Sequence, residues 1–245
     1  MFPYHDENET ERTPVVTIAL IAACVFVWIF FQGAGFGLAL PASVCNHGLI
    51  AGELTGGAPP GTALPMGDGL VCVVDPGPEY ENIFSSMFLH GSWMHLLGNM
   101  WFLWLFGNNI EDSMTRPRFL AFYLLCGVAA AMAQVASNPA SPVPMVGASG
   151  AISGVMGAYL VLYPRVRVYT IVPLGFFLTT YALPAWVMLV YWAVLQLLGG
   201  FGQGDGGVAF WAHVGGFVAG LALVKFFSRP DLVARHSAHR WHPVR

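Results

Sequence analysis

An all-α, polytopic membrane protein built as a six-transmembrane-helix bundle is the fold class predicted by three observations. Of 245 residues, 56% are hydrophobic and only 9% charged, with a mean hydropathy of +0.62, whereas a soluble domain carries roughly 25% charged residues. Six apolar runs lie at about residues 15–31, 93–107, 119–136, 146–163, 184–198 and 208–227, each near the roughly 20 residues that a bilayer core requires. With six crossings, all ten Lys and Arg residues fall on one side of the membrane. Five or seven crossings would scatter them.

Residues 1–13 form a short leading segment whose "HDENETER" is acidic, unlike the basic start of a secretory signal, so the first run is read as a span. The 14–227 region is one membrane domain. Its long first loop, about 34–90, is rich in Gly and Pro and holds Cys45 and Cys72. On an oxidising face these could form a disulfide; two unpaired thiols are equally compatible, because spacing alone does not establish a bridge. Lipid offers the backbone no hydrogen-bond partners, so every run must be helical. The loops at 34–90, 137–145 and 199–207 contain no Lys or Arg. The positive-inside rule therefore places both termini, including the 228–245 tail, in the cytoplasm, a charge alternation that suits a bacterial plasma membrane. The tail's "HSAHRWH" is read as a solvated terminus rather than a metal site. A net charge of −3 gives no sign of nucleic acid, and four cysteines make no disulfide scaffold.

The polar residues inside the runs share a depth. His95 precedes Glu111 by 16 residues and Ser149 precedes Arg165 by 16; Asn99 precedes Glu111 by 12 and His213 precedes Lys225 by 12. At 1.5 Å per residue all four sit roughly 18–24 Å above the inner boundary, on runs two, four and six, which are mutually parallel. Each residue alone has a structural explanation. Ser149 lies among glycines, and Gly150/Gly154 and Gly216/Gly220 are GxxxG pairs of the kind that let helices touch. Asn99 could be an interhelical hydrogen-bonding residue, and His213 could satisfy a backbone carbonyl. Intramembrane histidines are nonetheless costly and functional by default, and agreement in depth across three helices favours a site. His90 is placed at the interface, where water makes it cheap.

Acyl transfer needs a nucleophile, a base in hydrogen-bond reach, and donors for the oxyanion. Ser149 supplies the first and His213 the second. His95, Asn99 and the Ser149 backbone N–H supply the donors, the last because a helix start leaves its N–H groups without intrahelical partners. No Asp or Glu lies near this depth, so the catalytic pair would be a dyad. The substrate would be a membrane-embedded segment weakened by Gly, Ala or Pro near its outer end.

In "HGSWMHLLGN" (His90, His95, Asn99), "GASG" (Gly147 to Gly150) and "AHVGG" (Ala212 to Gly216), the chain resembles the rhomboid intramembrane serine proteases, from about residue 14 to 227. That resemblance implies a six-helix core, Ser149 as nucleophile, His213 as base, and an oxyanion hole of His95, Asn99 and the Ser149 amide. It implies transmembrane protein substrates in the lipid bilayer, cut near the outer face, often after a small residue, with no cofactor and no metal. Two departures stand out. The position four after the serine, aromatic in some members, is Ser153, and the first loop lacks the Trp-Arg pair of many members. A non-proteolytic membrane-protein binder on the same scaffold is the first alternative. A metal, haem or transport site on His90, His95 and His213 is the second.

Overall fold

The computed structural model describes residues 2–67, 69–174, 177–202 and 207–238, so the tail from His239 onward and part of the 199–207 loop lie outside the described residues. Strand β1 (Phe2–Asp6) leads to helix α1 (Val15–Phe26), which continues as a π turn through Val27–Phe31. The first loop carries α2 (Ala39–His47), β2 (Leu49–Ile50), α3 (Ala51–Thr55), the hairpin β3 (Ala63–Gly67) and β4 (Leu70–Val73), and α4 (Asn82–Ser85). Then come α5 (Trp93–Asp112), α6 (Arg116–Ser137), β5 (Pro144–Met145) and α7 (Ser149–Leu162). The strands β6 (Arg167–Leu174) and β7 (Phe177–Pro184) precede α8 (Ala185–Phe201), α9 (Phe210–Phe227) and α10 (Pro230–Ala238).

Each of the six apolar runs is helical. By length and composition α6 and α9 are each sufficient to cross a membrane, while Val15–Phe31, Ser149–Leu162 and Ala185–Phe201 are apolar but shorter. Helix α7 occupies the centre, with Gly150 through Tyr159 buried on every side, as expected of a helix apolar all round. Its small residues let α9 approach to backbone contact. A Cβ on Gly216 would overlap the Gly150 carbonyl oxygen, and one on Gly220 would overlap that of Gly154. The two GxxxG pairs face each other, so any larger side chain there would force the helices apart.

Strands interrupt the all-α fold in three places, one of them the β3–β4 hairpin of the first loop. Strands β1, β6 and β7 form an antiparallel sheet in which β6 is central. In "RVRVYT" the buried residues alternate at Val166, Val168 and Thr170, the period of a half-buried strand rather than of a helix. β2 pairs with β5, so a strand precedes run four, which itself starts as coil and turn and becomes helix only at Ser149. Cys45 and Cys72 are joined in a disulfide, resolving the two alternatives. Closing a loop across a sequence separation of 27 restricts the unfolded chain by about 3–4 kcal/mol in the loop-entropy view.

The end of the bundle where cations gather is fastened by reciprocal capping. The Glu111 carboxylate accepts from the N–H groups of Val16 and Thr17 and from the Thr17 hydroxyl, at 2.9, 2.7 and 2.8 Å. It thereby satisfies the start of α1 with a charge of the favourable sign. In return Arg12 bonds Asp112 at 2.9 Å and donates to the carbonyls of Glu111, Asp112 and Met114, closing the end of α5. Asp6 accepts from Tyr159 at 2.5 Å and Asn109 at 3.0 Å, which docks β1 onto α5 and α7.

Candidate active site

Three helix starts meet at the opposite end. Ser92 caps α5 by accepting from the His95 N–H at 3.1 Å, and this orients the first turn that carries His95 and, one turn on, Asn99. Ser149 is the first residue of α7, reached through Gly147 at φ +129, a backbone conformation that favours glycine. His213 lies in the first turn of α9, where Gln134 of α6 accepts from the Ala212 N–H at 3.2 Å. The contact between α7 and α9 brings His213 Nε2 to 2.8 Å from Ser149 Oγ.

The other imidazole nitrogen is also engaged. His213 Nδ1 lies 2.8 Å from Gln196 Oε1, and the Gln196 amide Nε2 donates to the Trp192 carbonyl at 3.3 Å. An amide oxygen only accepts, so Nδ1 carries the proton and Nε2 presents its lone pair to the serine hydroxyl. The Trp192 ring packs 5.9 Å from the His213 ring, tilted by 38°. The restraint that an aromatic residue four after the serine would supply comes instead from α8, while the Ser153 hydroxyl turns back to the Ser149 carbonyl at 2.6 Å.

The donors converge on the same space. His95 Nδ1 accepts from the Gly91 N–H at 3.3 Å, leaving Nε2 as the protonated nitrogen. A Cβ built on Gly147 would lie 2.7 Å from His95 Nε2 and 3.6 Å from Ser149 Oγ. Only a hydrogen fits there, and both polar atoms border the vacancy that a side chain would fill. The Asn99 Nδ2 group is buried and has no hydrogen-bond partner among the described residues. A buried donor without an acceptor costs roughly 1–3 kcal/mol, a penalty that an incoming oxygen would relieve.

His95, Asn99, Ser149, Trp192 and His213 line one cavity of about 920 Å³, which extends to Met94 and to the 141–146 and 207–209 segments. All four side chains singled out from the sequence therefore share one pocket, reached from the end where the first loop lies. His90 does not join them and is not at a wet interface. It is fully buried, with its ring set edge-on to His95 at 5.1 Å, and burial pushes its pKa down to about 3, opposed by the Phe88 carbonyl. The side-chain amide of Gln32 encloses it by bonding both its backbone N–H and its carbonyl, at 2.9 and 2.8 Å. Sequence reasoning missed Gln196 and Trp192. The available signal was a polar amide isolated in "WVMLVYWAVLQLL", one turn beyond a tryptophan.

A family model described as "Rhomboid domain" matches residues 78–230. The Rhomboid-like protease 5 of Toxoplasma gondii is 33% identical over 173 residues, covering 68% of this chain and 18% of that protein. The mitochondrial Rhomboid protein 1 of Saccharomyces cerevisiae is 27% identical over 154 residues, covering 60% and 42%. The putative rhomboid protease YdcA of Bacillus subtilis is 31% identical over 147 residues, covering 60% and 61%. The chain thus spans less than two thirds of the length of each of these relatives. The matched segment contains Ser149, His213, His95, Asn99 and Gln196 and leaves out α1 and most of the first loop.

Proposed function

Because the chain belongs to the rhomboid family, a family of integral membrane proteins, we propose that it is an intramembrane serine endopeptidase working through a Ser149–His213 dyad. The observation that carries this reading is the 2.8 Å approach of His213 Nε2 to Ser149 Oγ beside an unpartnered Asn99 amide. His213 takes the hydroxyl proton as Ser149 Oγ attacks the scissile carbonyl. The oxyanion so formed is held by His95 Nε2–H, Asn99 Nδ2–H and the Ser149 backbone N–H. Preorganised donors of this kind stabilise charge that develops only in the transition state. The imidazolium then returns its proton to the leaving amine, the C–N bond breaks, and water activated by His213 hydrolyses the acyl-enzyme. No cofactor or metal enters any step.

The membrane reading has its own support. Six helices cross, both described ends lie on the inner side, and the membrane is a bacterial plasma membrane. Arg12, Arg167 and Arg229 all lie at the end of the bundle distal to Ser149: the Arg12 side chain bonds Asp112, the Arg167 carbonyl accepts from the Glu7 N–H, and the Arg229 N–H donates to the Ser113 carbonyl. Helix α7 has 14 residues, about 21 Å, shorter than the roughly 30 Å hydrocarbon core. Its start therefore sits below the outer surface while the non-helical, proline-interrupted 138–148 segment descends to it, and water follows. Substrates are transmembrane proteins whose helices unwind easily near their outer end. Wild type, Ser149→Ala and His213→Ala are to be compared in detergent against a model single-pass protein. Cleavage by wild type alone is expected; equal cleavage by all three would overturn the dyad mechanism, and cleavage by none would leave the non-proteolytic binder as the better description.

A further inference from the structure

We propose that Gln196 on α8 is a positioning residue for His213, doing with a neutral amide what a carboxylate does in a three-residue catalytic relay. This rests on the dyad reading. Three observations converge on it. The Gln196 oxygen meets His213 Nδ1 at 2.8 Å, the same separation as the serine contact on the other side of the ring. The amide is not free to turn over, because its Nε2 donates to the Trp192 carbonyl one turn back on the same helix. The Trp192 indole packs against the same ring, 5.9 Å away and tilted by 38°.

The chemistry follows from the acceptor. With Oε1 fixed toward Nδ1, the tautomer that protonates Nε2 would leave Nδ1 and the amide oxygen facing each other lone pair to lone pair. The productive tautomer is the one that remains. When Nε2 takes the serine proton, the positive ring strengthens its Nδ1–H bond to the amide oxygen, and no proton passes to Gln196. A carboxylate would stabilise the imidazolium further, but an ionised group in the membrane is expensive, whereas the amide orients the ring without that cost. Among the described residues the titratable group facing His213 from a neighbouring element is His95 of α5. Gln134 of α6, Ser149 and Ser153 of α7 and Gln196 of α8 bear no charge.

The test is the rate at which a serine-directed fluorophosphonate labels Ser149, measured against pH in wild type, Gln196→Met, Gln196→Glu and Ser149→Ala, with thermal midpoints alongside. Met keeps the length and removes the oxygen. It is expected to slow labelling about 10- to 100-fold, the range for a hydrogen bond to a group that becomes charged. Glu restores an acceptor and favours the imidazolium. Its labelling is expected to be near wild type on the alkaline plateau, with the acid limb displaced upward by about 1–3 pH units. Wild-type labelling in Gln196→Met overturns the proposal, and so does equal slowing in both variants with an unmoved acid limb, the mark of a packing role. A label that survives Ser149→Ala strikes the dyad itself, a separate failure.

Discussion

The two ends of the bundle treat buried polar groups in opposite ways. At the cationic end, Glu111, Arg12, Asp112 and Asp6 are spent on backbone groups and on each other across 94 to 103 residues of chain. At the Ser149 end, Asn99 Nδ2 has no partner among the described residues, and His95 and Ser149 border a vacancy above Gly147. Satisfied groups fasten the fold, while groups held open toward a cavity are destabilising until something occupies it. The contrast teaches where to look for chemistry: not at the most charged end, but where hydrogen-bonding capacity is left over.

Substitutions at the two ends should therefore separate activity from stability. The largest effect is expected for Ser149→Ala, which should reduce cleavage on the order of 10⁴-fold or more with the thermal midpoint unchanged; a fall in midpoint instead would make Ser149 a packing residue. Asn99→Ala comes next, with kcat lowered about 10²- to 10³-fold. Stability should be equal or slightly higher, since a buried donor is removed; steady-state kinetics and a melting curve on one preparation check both. At the other end Glu111→Ala should invert the pattern. A loss of about 2–4 kcal/mol in denaturant unfolding is expected, with activity per folded molecule retained.

The effect smallest at neutral pH is that of His90, which emerges only toward acid. His90 is neutral in the folded chain because burial holds its pKa at about 3, while in the unfolded chain it titrates near 6.5. As pH falls below about 6.5 the unfolded state gains a proton that the folded state refuses. Stability is thus lost toward acid, by at most about 1.4 kcal/mol per pH unit down to about pH 3. His90→Gln should flatten that part of the stability–pH curve. An unchanged acid slope would show that His90 is not the group responsible.

Much of the site was legible before any coordinates because its signals are periodic or additive. Intervals of 12 and 16 residues to the next charge put Ser149, His213, His95 and Asn99 at one depth, and the paired glycines at 150, 154, 216 and 220 marked the helices that touch. Gln196 was illegible for the opposite reason. A single amide in an apolar helix stands out locally, but its meaning depends on a partner 17 residues away on another helix. His90 was misplaced on the same ground, since its loop position suggested water while Gln32, 58 residues earlier, closes over it.

Sequence alone determined the helical runs, the side of the bundle that gathers the cations, and the residue types able to perform acyl transfer, because hydrophobicity, charge and spacing act along the chain. Tertiary structure decided which nitrogen of His213 meets the serine, that Cys45 joins Cys72, and that Phe2–Asp6 becomes the edge of a sheet. Those outcomes are hydrogen bonds and covalent closures between distant segments. For the His213–Ser149 contact, that geometry exists only once α7 and α9 have packed glycine to glycine.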